Sequence, residues 1–378
     1  MRDSGLILAL NSGSSSLKFA LYAKGETDEV PVLTGSATGI GRDDGELQIL
    51  ADDGTPILQK NHTHESQGEA LATLAAELSK HGRALPVAVG HRVVHGGPNL
   101  RCHQVITDEL LYELQAATHF APLHIPQALE LISSANSIFG SSVHFACFDD
   151  AFHSTLPEVA YHLPLPSRYL DLGIRRYGFH GLSYASLVHR LAADLPTRAI
   201  FAHLGNGASL CALRDGKSMD TTMCFTPTGG IPMGTRSGDV DPGVVLFLLR
   251  NEKLDADQLE QLLNHESGLF ALSAGESDVK TLESRAQAGD PQAILALYVF
   301  ATAVRKCIGA YVALLGGVDM LVFTGGIGEH SSRLRSAITQ ELGCIGVTPD
   351  KIKVLPADEE RQIARECRAM MSEQRQQV

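Results

Sequence analysis

The sequence predicts an α/β protein made of two similar domains. Strand-like apolar runs and helix-like amphipathic segments alternate along the whole chain, which is the pattern of α/β folds. Residues 6–21 and 197–213 share one construction, in which a turn of small residues joins two apolar runs. The chain has 378 residues, which is more than one hydrophobic core usually serves. The length and the repeated hairpin together indicate two domains, each carrying one hairpin.

Local patterns assign the main elements in chain order. Residues 6–10 and 17–22 are predicted to pair as strands, and Ser66 with Glu69 is predicted to form a capping box that starts a helix ending near residue 80. Apolar spacing then predicts a strand at 87–89, a helix at 127–139, a strand at 143–148, and helices at 183–193 and 291–315. His62 and His64 lie in a polar loop without further ligands, so we expect them to be solvated.

Composition and charge exclude several classes of protein. The formal net charge is −12, which argues against nucleic acid and anionic membranes as partners. Arg305 and Lys306 interrupt the apolar segment 291–315, so we expect a helix buried in a domain rather than a membrane span. The seven cysteines form no C-x-x-C pair, and no secretory signal is visible, so we expect reduced thiols in a cytoplasmic protein.

Three turns rich in glycine or serine are candidate phosphate sites. The first, residues 11–16, is followed by Lys18, and the second, residues 203–209, has the same construction. The third, residues 325–328, lies between a strand and a helix. Successive backbone N–H groups in such turns form concavities that bind anions, and a lysine adds a point charge suited to phosphate. One such turn is usually structural, but three in one chain favour the binding of phosphate groups.

Four polar residues beside glycines or strand ends are candidate catalytic groups. Arg92 and Arg236 lie in glycine-rich loops, where a guanidinium can bind a carboxylate or a phosphate in bidentate fashion. Asp149 ends a predicted strand, and His180 precedes a glycine. Each residue also has a structural interpretation: surface ion pairs for the arginines, a helix N-cap for the aspartate and a satisfied core histidine. Glu359-Glu360 is most simply the first turn of a helix, from which one carboxylate could reach Mg²⁺.

These motifs, in this order, resemble the acetate kinase (acetokinase) family along nearly the whole chain. The matching blocks are "ALNSGSSSLKF", "GHRVVHGG", "APLH", "FDDAFH", "RRYGFHG", "HLGNGAS", "MGTRSGDVDPG", "VFTGGIGE" and "ADEERQIAR". The resemblance implies an α/β fold of two RNase H-like (actin-like ATPase) domains around a nucleotide cleft. It divides the chain into residues 1–149 with 357–378 and residues 150–356. It also implies a homodimer that transfers a phosphoryl group reversibly and directly between ATP and acetate, giving ADP and acetyl phosphate.

The resemblance also implies roles for individual residues. The catalytic set is Arg92, Asp149, His180 and Arg236, and the pocket for acetate is lined by Arg92, Val94, Leu123, Phe179 and Pro227. The nucleotide is bound by Lys18, His203, Leu204, Gly205, Asn206, Gly207, Asp278, Val279, Lys280, Gly326, Ile327, Gly328, Glu329 and His330. Mg²⁺, with Mn²⁺ as a substitute, is bound by Asn11 and Glu359. Acetate is already ionised, so we interpret Asp149 as an orienting or Mg²⁺-water group and not as a proton acceptor.

Several positions depart from the family pattern and leave the substrate open. Ile125, Leu182, Tyr184 and Thr228 differ near the predicted acyl site, and Lys280 stands where the family has an arginine beside adenine. Asp150 follows Asp149 in place of a threonine. A propionate or butyrate kinase of the same family is therefore one alternative. A non-enzymatic ATP-binding protein is another, although ATP binding alone does not require two acyl-site arginines.

Overall fold

The computed structural model describes residues 5–13, 15–61, 63–82 and 84–376. It comprises two compact units. The first contains the chain up to Ala151, Gly181–Ser186 and the segment from Asp358 onward. The second contains Phe152–His180 and Leu187–Ala357. The division of residues 1–149 with 357–378 from residues 150–356 stays a prediction from the sequence, which gave no sign that Gly181–Ser186 would pack with the first unit.

The bounds of the elements are as follows. The strands are β1 (Ile7–Gly13), β2 (Ser16–Lys24), β3 (Glu29–Thr38), β4 (Glu46–Ala51), β5 (Pro56–Asn61), β6 (Ala88–Val93), β7 (Gln104–Val105), β8 (Val143–Phe148), β9 (Arg198–Leu204), β10 (Ala208–Arg214), β11 (Lys217–Thr221), β12 (Met320–Thr324) and β13 (Ile352–Val354). The α-helices are α1 (Gln67–Lys80), α2 (Asp108–Ala116), α3 (Ile125–Ile138), α4 (Glu158–Tyr161), α5 (Ser167–Asp171), α6 (Gly181–Leu191), α7 (Pro242–Phe247), α8 (Ala256–His265), α9 (Gly268–Leu272), α10 (Val279–Gln287), α11 (Pro291–Leu315), α12 (Gly325–His330), α13 (Ser332–Thr339) and α14 (Glu359–Gln376). Short 3-10 turns occupy Ala117–Phe120, Ala151–Thr155, Ala192–Asp194, Leu342–Ile345 and Pro349–Lys351, and the π-helical turn Leu248–Glu252 continues α7.

The described part of the first unit contains an eight-stranded sheet in the order β5-β4-β3-β2-β1-β6-β8-β7. Strands β1 to β5 form an antiparallel meander, whereas β1, β6 and β8 are parallel neighbours. Side chains on β1 alternate between two cores: Leu8 and Leu10 pack with α1 and α3 on one face, and Ile7 and Ala9 pack with α14 on the other. Because β1, β6 and β8 are parallel, their carboxyl ends meet at one edge of the sheet.

The described part of the second unit contains a five-stranded sheet in the order β11-β10-β9-β12-β13. Strands β9 and β10 form the second hairpin, and β12 runs parallel to β9 with Thr324 opposite His203. Helix α11 buries one face that includes Phe300, Val304 and Ile308. By length and composition α11 is apolar enough to cross a membrane, and a third of its most apolar window is buried inside the unit. The predicted buried helix is therefore buried along one side.

Most local predictions are confirmed. The strand at 143–148 is β8, the helix at 291–315 is α11, and the first hairpin pairs Asn11 with Lys18. Helix α1 starts after Ser66, which accepts a hydrogen bond from the Glu69 N–H. The Glu69 carboxylate accepts from Glu65 N, so half of the predicted capping box forms. The prediction that His64 is solvated is wrong, since its exposed fraction is 1%. His62 lies outside the described residues.

Candidate active site

In the first unit, the parallel strand ends bring Arg92 and Asp149 together. Arg92 is near the end of β6, and Asp149 follows β8, where its backbone N–H donates to Val93 O. Arg92 Nε and Nη2 both donate to Asp149 Oδ2, at 2.8 and 2.5 Å. Asp149 is 1% exposed, and its Oδ1 has no hydrogen-bond partner among the residues the structure describes. Burial raises the pKa of Asp149, and the Arg92 charge opposes that rise.

Asn11, at the end of β1, connects this pair to the acids of α14. Its Oδ1 accepts from Arg92 Nη1 at 2.9 Å, and its Nδ2 donates to Glu359 Oε2 at 2.8 Å and to Glu360 Oε1 at 2.7 Å. The predicted metal ligands Asn11 and Glu359 are therefore in direct contact. Burial, followed by the neighbouring charge of Glu359, raises the pKa of Glu360, and the exposed Lys18 is close enough to lower it.

The chemistry of these side chains fits Mg²⁺. Amide and carboxylate oxygens are the ligands that a hard cation prefers, and the unpartnered Oδ1 of Asp149 adds another buried oxygen. No group of three His, Cys, Asp or Glu side chains in the described chain forms a metal site by itself. In proteins, Mg²⁺ is usually bound by one or two carboxylates together with substrate phosphates. Asn11, Glu359 and Glu360 are the residues that would hold it.

In the second unit, two glycine turns lie side by side at one end of the sheet. Residues 205–207 connect β9 to β10, and Gly325 opens α12 directly after β12, the parallel neighbour of β9. Gly325 has a φ of +77°, and a Cβ there would lie 2.7 Å from Leu204 O, so only glycine allows this contact. Gly326 is exposed, with no atom within 4 Å of the position of a Cβ. The predicted phosphate hairpin and the predicted adenosine turn are thus neighbours.

His180 and Arg236 both face the phosphate hairpin. A Cβ built on Gly207 would lie 3.3 Å from His180 Nε2 and 3.5 Å from Arg236 Nη1. The His180 ring stacks on His203, with ring centroids 4.3 Å apart, and its Nδ1 is hydrogen-bonded to Ser209 Oγ at 2.9 Å. The two predicted catalytic residues of this unit therefore direct an imidazole nitrogen and a guanidinium nitrogen towards a backbone suited to phosphate.

The predicted acyl-site residues differ in burial. Phe179 and Pro227 are buried in the second unit, and Pro227 O accepts from Arg236 Nη1 at 3.3 Å. In the first unit, Val94 is half-buried and Leu123 is 40% exposed. Pro227 thus contacts the predicted catalytic residue Arg236 directly, and Phe179 immediately precedes His180 in the sequence.

The outer residues of the predicted nucleotide set have structural roles as well. Asp278 is the N-cap of α10, where its Oδ1 accepts from Thr281 N at 2.8 Å. Val279 is buried and Lys280 is exposed. Glu329 Oε1 accepts from the backbone N–H groups of Gly325 and Ala357, at 3.0 and 3.3 Å, and so holds the turn between β12 and α12. The remaining members, Ile327, Gly328 and His330, lie within α12.

Three contacts at or beside the candidate residues were not predicted from the sequence. Glu360 shares Asn11 with Glu359, and Ser209 orients His180. Asp150 is buried, and its Oδ2 is 2.7 Å from His95 Nδ1 and 3.4 Å from Gly96 N. His95 lies within the motif "GHRVVHGG", but nothing in the sequence indicated that the Asp150 carboxylate would pair with it.

Comparison with known proteins assigns the family. The acetokinase family model matches residues 6–372. The chain belongs to the acetokinase family. It is 42% identical to a propionate kinase of Citrobacter rodentium, over 92% of this chain and 88% of that protein. It is 40% identical to an acetate kinase of Methylocella silvestris, over 97% of this chain and 98% of that protein. The solved structure of a propionate kinase from Francisella tularensis superposes with a TM-score of 0.89 at 33% identity, covering 96% of this chain and 98% of that one.

Membership in this family confirms the predicted fold class of two RNase H-like, actin-like domains. It also makes the chain a kinase that uses ATP or ADP and has a carboxyl group as the acceptor. The relatives named above include both acetate and propionate kinases, so family membership by itself leaves the acyl group open.

Proposed function

We propose that this protein is an acetate kinase that transfers a phosphoryl group directly between ATP and acetate. The observation that carries the proposal is the convergence of His180 Nε2 and Arg236 Nη1 on the backbone of Gly207. In-line phosphoryl transfer requires positioning and charge neutralisation more than covalent chemistry. An imidazole and a guanidinium beside a phosphate-binding hairpin supply both requirements.

Arg92 is suited to bind an oxyanion without moving. Its guanidinium has five N–H donors, and its contacts with Asp149 and Asn11 use three of them. The two N–H groups left over are available for a carboxylate or phosphoryl oxygen. Asp149 would therefore act as an orienting group that fixes the plane of the guanidinium, with its free Oδ1 available to a metal-bound water. Proton abstraction is not needed, because acetate is ionised at neutral pH.

His180 is suited to donate to a transferring phosphoryl oxygen. If Nδ1 accepts the Ser209 hydroxyl proton, Nε2 carries the N–H that faces Gly207. Arg236 adds a positive charge at the same place, where it offsets the repulsion between two anions. Asn11, Glu359 and Glu360 would hold Mg²⁺, which supplies electrophilic stabilisation of the phosphate oxygens when it is bound.

Acetate is the proposed acyl substrate, with propionate as a slower second one. Support comes from the apolar side chains and the arginine assigned to the pocket and from the similarity to an acetate kinase along 97% of the chain. Similarity to propionate kinases keeps the larger acid as the alternative. One methylene changes discrimination in an apolar pocket by about 1–3 kcal/mol.

The test of the acyl substrate is a hydroxamate assay that compares kcat/KM for acetate, propionate and butyrate with ATP and Mg²⁺. A preference for propionate or butyrate, or no acyl phosphate from any acid, would refute the proposal.

We also propose that the enzyme is a homodimer that uses the exposed side of α11. Ile294, Leu295 and Tyr298 are each about half exposed or more, and their spacing places them on one side of the helix. Such a side favours burial against a second copy. Light scattering after gel filtration should show a dimer for the wild type and for Tyr112→Glu, which alters an exposed tyrosine on α2. Tyr298→Glu should weaken the dimer, and a monomeric wild type would refute this proposal.

A further inference from the structure

The segment that carries His180 has an unusual backbone. His180 has a φ of 61°, in the left-handed region that side chains other than glycine rarely adopt, and Gly178 has a φ of 81°. A non-glycine residue stays in this conformation only when its surroundings hold it there. Such strain is common where a side chain must be directed at a ligand. Something in the second unit must therefore fix residues 178–180.

His153, in the 3-10 turn Ala151–Thr155, contacts this segment on two sides. Its ring lies against Gly178, where a Cβ would be 2.6 Å from His153 Cδ2. Its Nε2 is 3.0 Å from Phe179 O, the carbonyl of the peptide bond that leads into His180. His153 is completely buried, so these contacts are shielded from water.

The partners of His153 determine which ring nitrogen carries the proton. A carbonyl can only accept, so Nε2 carries the N–H that donates to Phe179 O. In the neutral ring Nδ1 must then accept, and it lies 2.8 Å from Ser218 Oγ, which donates its hydroxyl proton. Cys211 Sγ lies 3.3 Å from the same oxygen and also contacts Ala212 O at 3.7 Å. Ser218 and His153 thus form a directed pair of hydrogen bonds that ends on Phe179 O.

We propose that His153 is a positioning residue for catalysis: its hydrogen bond to Phe179 O holds the left-handed turn at His180 and so directs the His180 ring at Gly207. The inference rests on the proposed function, in which His180 contacts the transferring phosphoryl group. Loss of this bond frees the peptide bond before His180 to rotate. The ring then leaves Ser209 and His203, its neighbours at 2.9 Å and 4.3 Å.

Two replacements of His153 by an amide side chain distinguish the roles of the two ring nitrogens. The side-chain nitrogen of glutamine can occupy the position of Nε2, so His153→Gln keeps a donor for Phe179 O. The shorter side chain of asparagine reaches only the position of Nδ1. His153→Asn therefore keeps the contact with Ser218 and loses the hydrogen bond to Phe179 O. Both variants place an uncharged amide in the same buried space, so a role in packing alone would affect them alike.

The experiment measures kcat and KM in the hydroxamate assay and the melting temperature for the wild type and both variants. His153→Asn should lower kcat by roughly 10²-fold, the usual effect of a catalytic group displaced by about 1 Å, with KM for acetate little changed. His153→Gln should keep kcat within about fivefold of the wild type. His144→Asn is the matched control, because His144 is a buried histidine of the first unit that also reaches a backbone carbonyl, at 3.3 Å. It should lower the melting temperature and leave kcat unchanged.

Equal kcat values for His153→Asn and His153→Gln, or a loss of kcat in His144→Asn as large as that in His153→Asn, would overturn the inference. If His153→Asn does not fold, His153→Ala replaces it: a kcat at least tenfold below that of His153→Gln supports the role, and equal kcat values overturn it. A wild-type enzyme that makes no hydroxamate would refute the proposed function instead, so the two failures are distinguishable.

Discussion

Replacing Arg92 with alanine should destabilise the first unit as well as abolish turnover. The Asp149 side chain is 1% exposed, and both of its described hydrogen bonds come from Arg92. Removing one partner of a buried ion pair costs about 3–5 kcal/mol, because the other charge stays buried without compensation. For a unit of this size, 1 kcal/mol shifts the melting temperature by about 2–4 °C. We therefore expect Arg92→Ala to lower the melting temperature by roughly 6–20 °C.

The double variant Arg92→Ala/Asp149→Asn tests the cause. Without a carboxylate to bury, it should be more stable than Arg92→Ala alone, which a double-mutant cycle measures by thermal unfolding.

The pH dependence of the stability of Arg92→Ala gives a second check. In Arg92→Ala the pKa of Asp149 is raised by burial and no longer lowered by Arg92, so the folded state binds a proton more readily than the unfolded state. Stability is then retained at low pH and lost as pH rises through the folded-state pKa. An Arg92→Ala protein that melts like the wild type, or a double variant no more stable than the single one, would refute the reasoning.

Three further predictions concern a second catalytic group, a buried ion pair between β3 and α14, and the glycine that opens α12. Arg236→Ala should lower kcat by about 10²–10³-fold at an almost unchanged melting temperature, because this guanidinium faces Gly207 and is only half-buried. Arg368→Ala, which breaks a buried bidentate pair with Glu29 at 2.8 Å for both bonds, should cost about 3–5 kcal/mol in thermal unfolding. Gly325→Ala should raise KM for ATP in the steady-state assay, because a Cβ at that φ distorts the turn beside the phosphate hairpin.

Each of these predictions has a control. Gly343→Ala, with no atom within 4 Å of the new Cβ, should leave KM for ATP unchanged, so an equal rise in both glycine variants would contradict the role of Gly325. Lys80→Ala, on a salt bridge whose lysine is 69% exposed, should change stability by less than about 1 kcal/mol. If Arg368→Ala loses no more stability than Lys80→Ala, the buried pair with Glu29 does not stabilise the protein as expected. Near-normal turnover in Arg236→Ala would show that its assigned role is wrong.

Features set by neighbours in the chain could be predicted from the sequence. The hairpin of β1 and β2, the N-cap of α1 and strand β8 each follow from local periodicity or a local hydrogen bond. Arg92 and Asp149 could be singled out because they follow apolar strands beside glycines. Their pairing could be understood only from the sheet order, in which β6 and β8 are parallel neighbours.

What the sequence could not predict depends on contacts between distant segments. His64 looks solvated in its polar loop, but it is 1% exposed, and its backbone carbonyl accepts a hydrogen bond from Gly41 N. Glu360 reaches Asn11 across a sequence separation of 349 residues, and no local pattern distinguishes it from Glu359 as the acid that matters. His153 lies next to Phe179 O because two loops of the second unit meet there.

The departures from the family pattern fall outside the reacting groups. Ile125 begins α3 and is 1% exposed, and Leu182 packs into the core beneath α14, so both apolar side chains lie at buried positions. Thr228 is hydrogen-bonded to Asn264, and the extra carboxylate of Asp150 is paired with His95. Buried polar groups are costly unless they are paired, and Asp150 meets this requirement through His95 while its charge contributes to the raised pKa of Asp149. The proposed phosphoryl-transfer groups Arg92, Asp149, His180 and Arg236 are all present, so under the proposed function a change in acyl preference would come from the shape of the pocket.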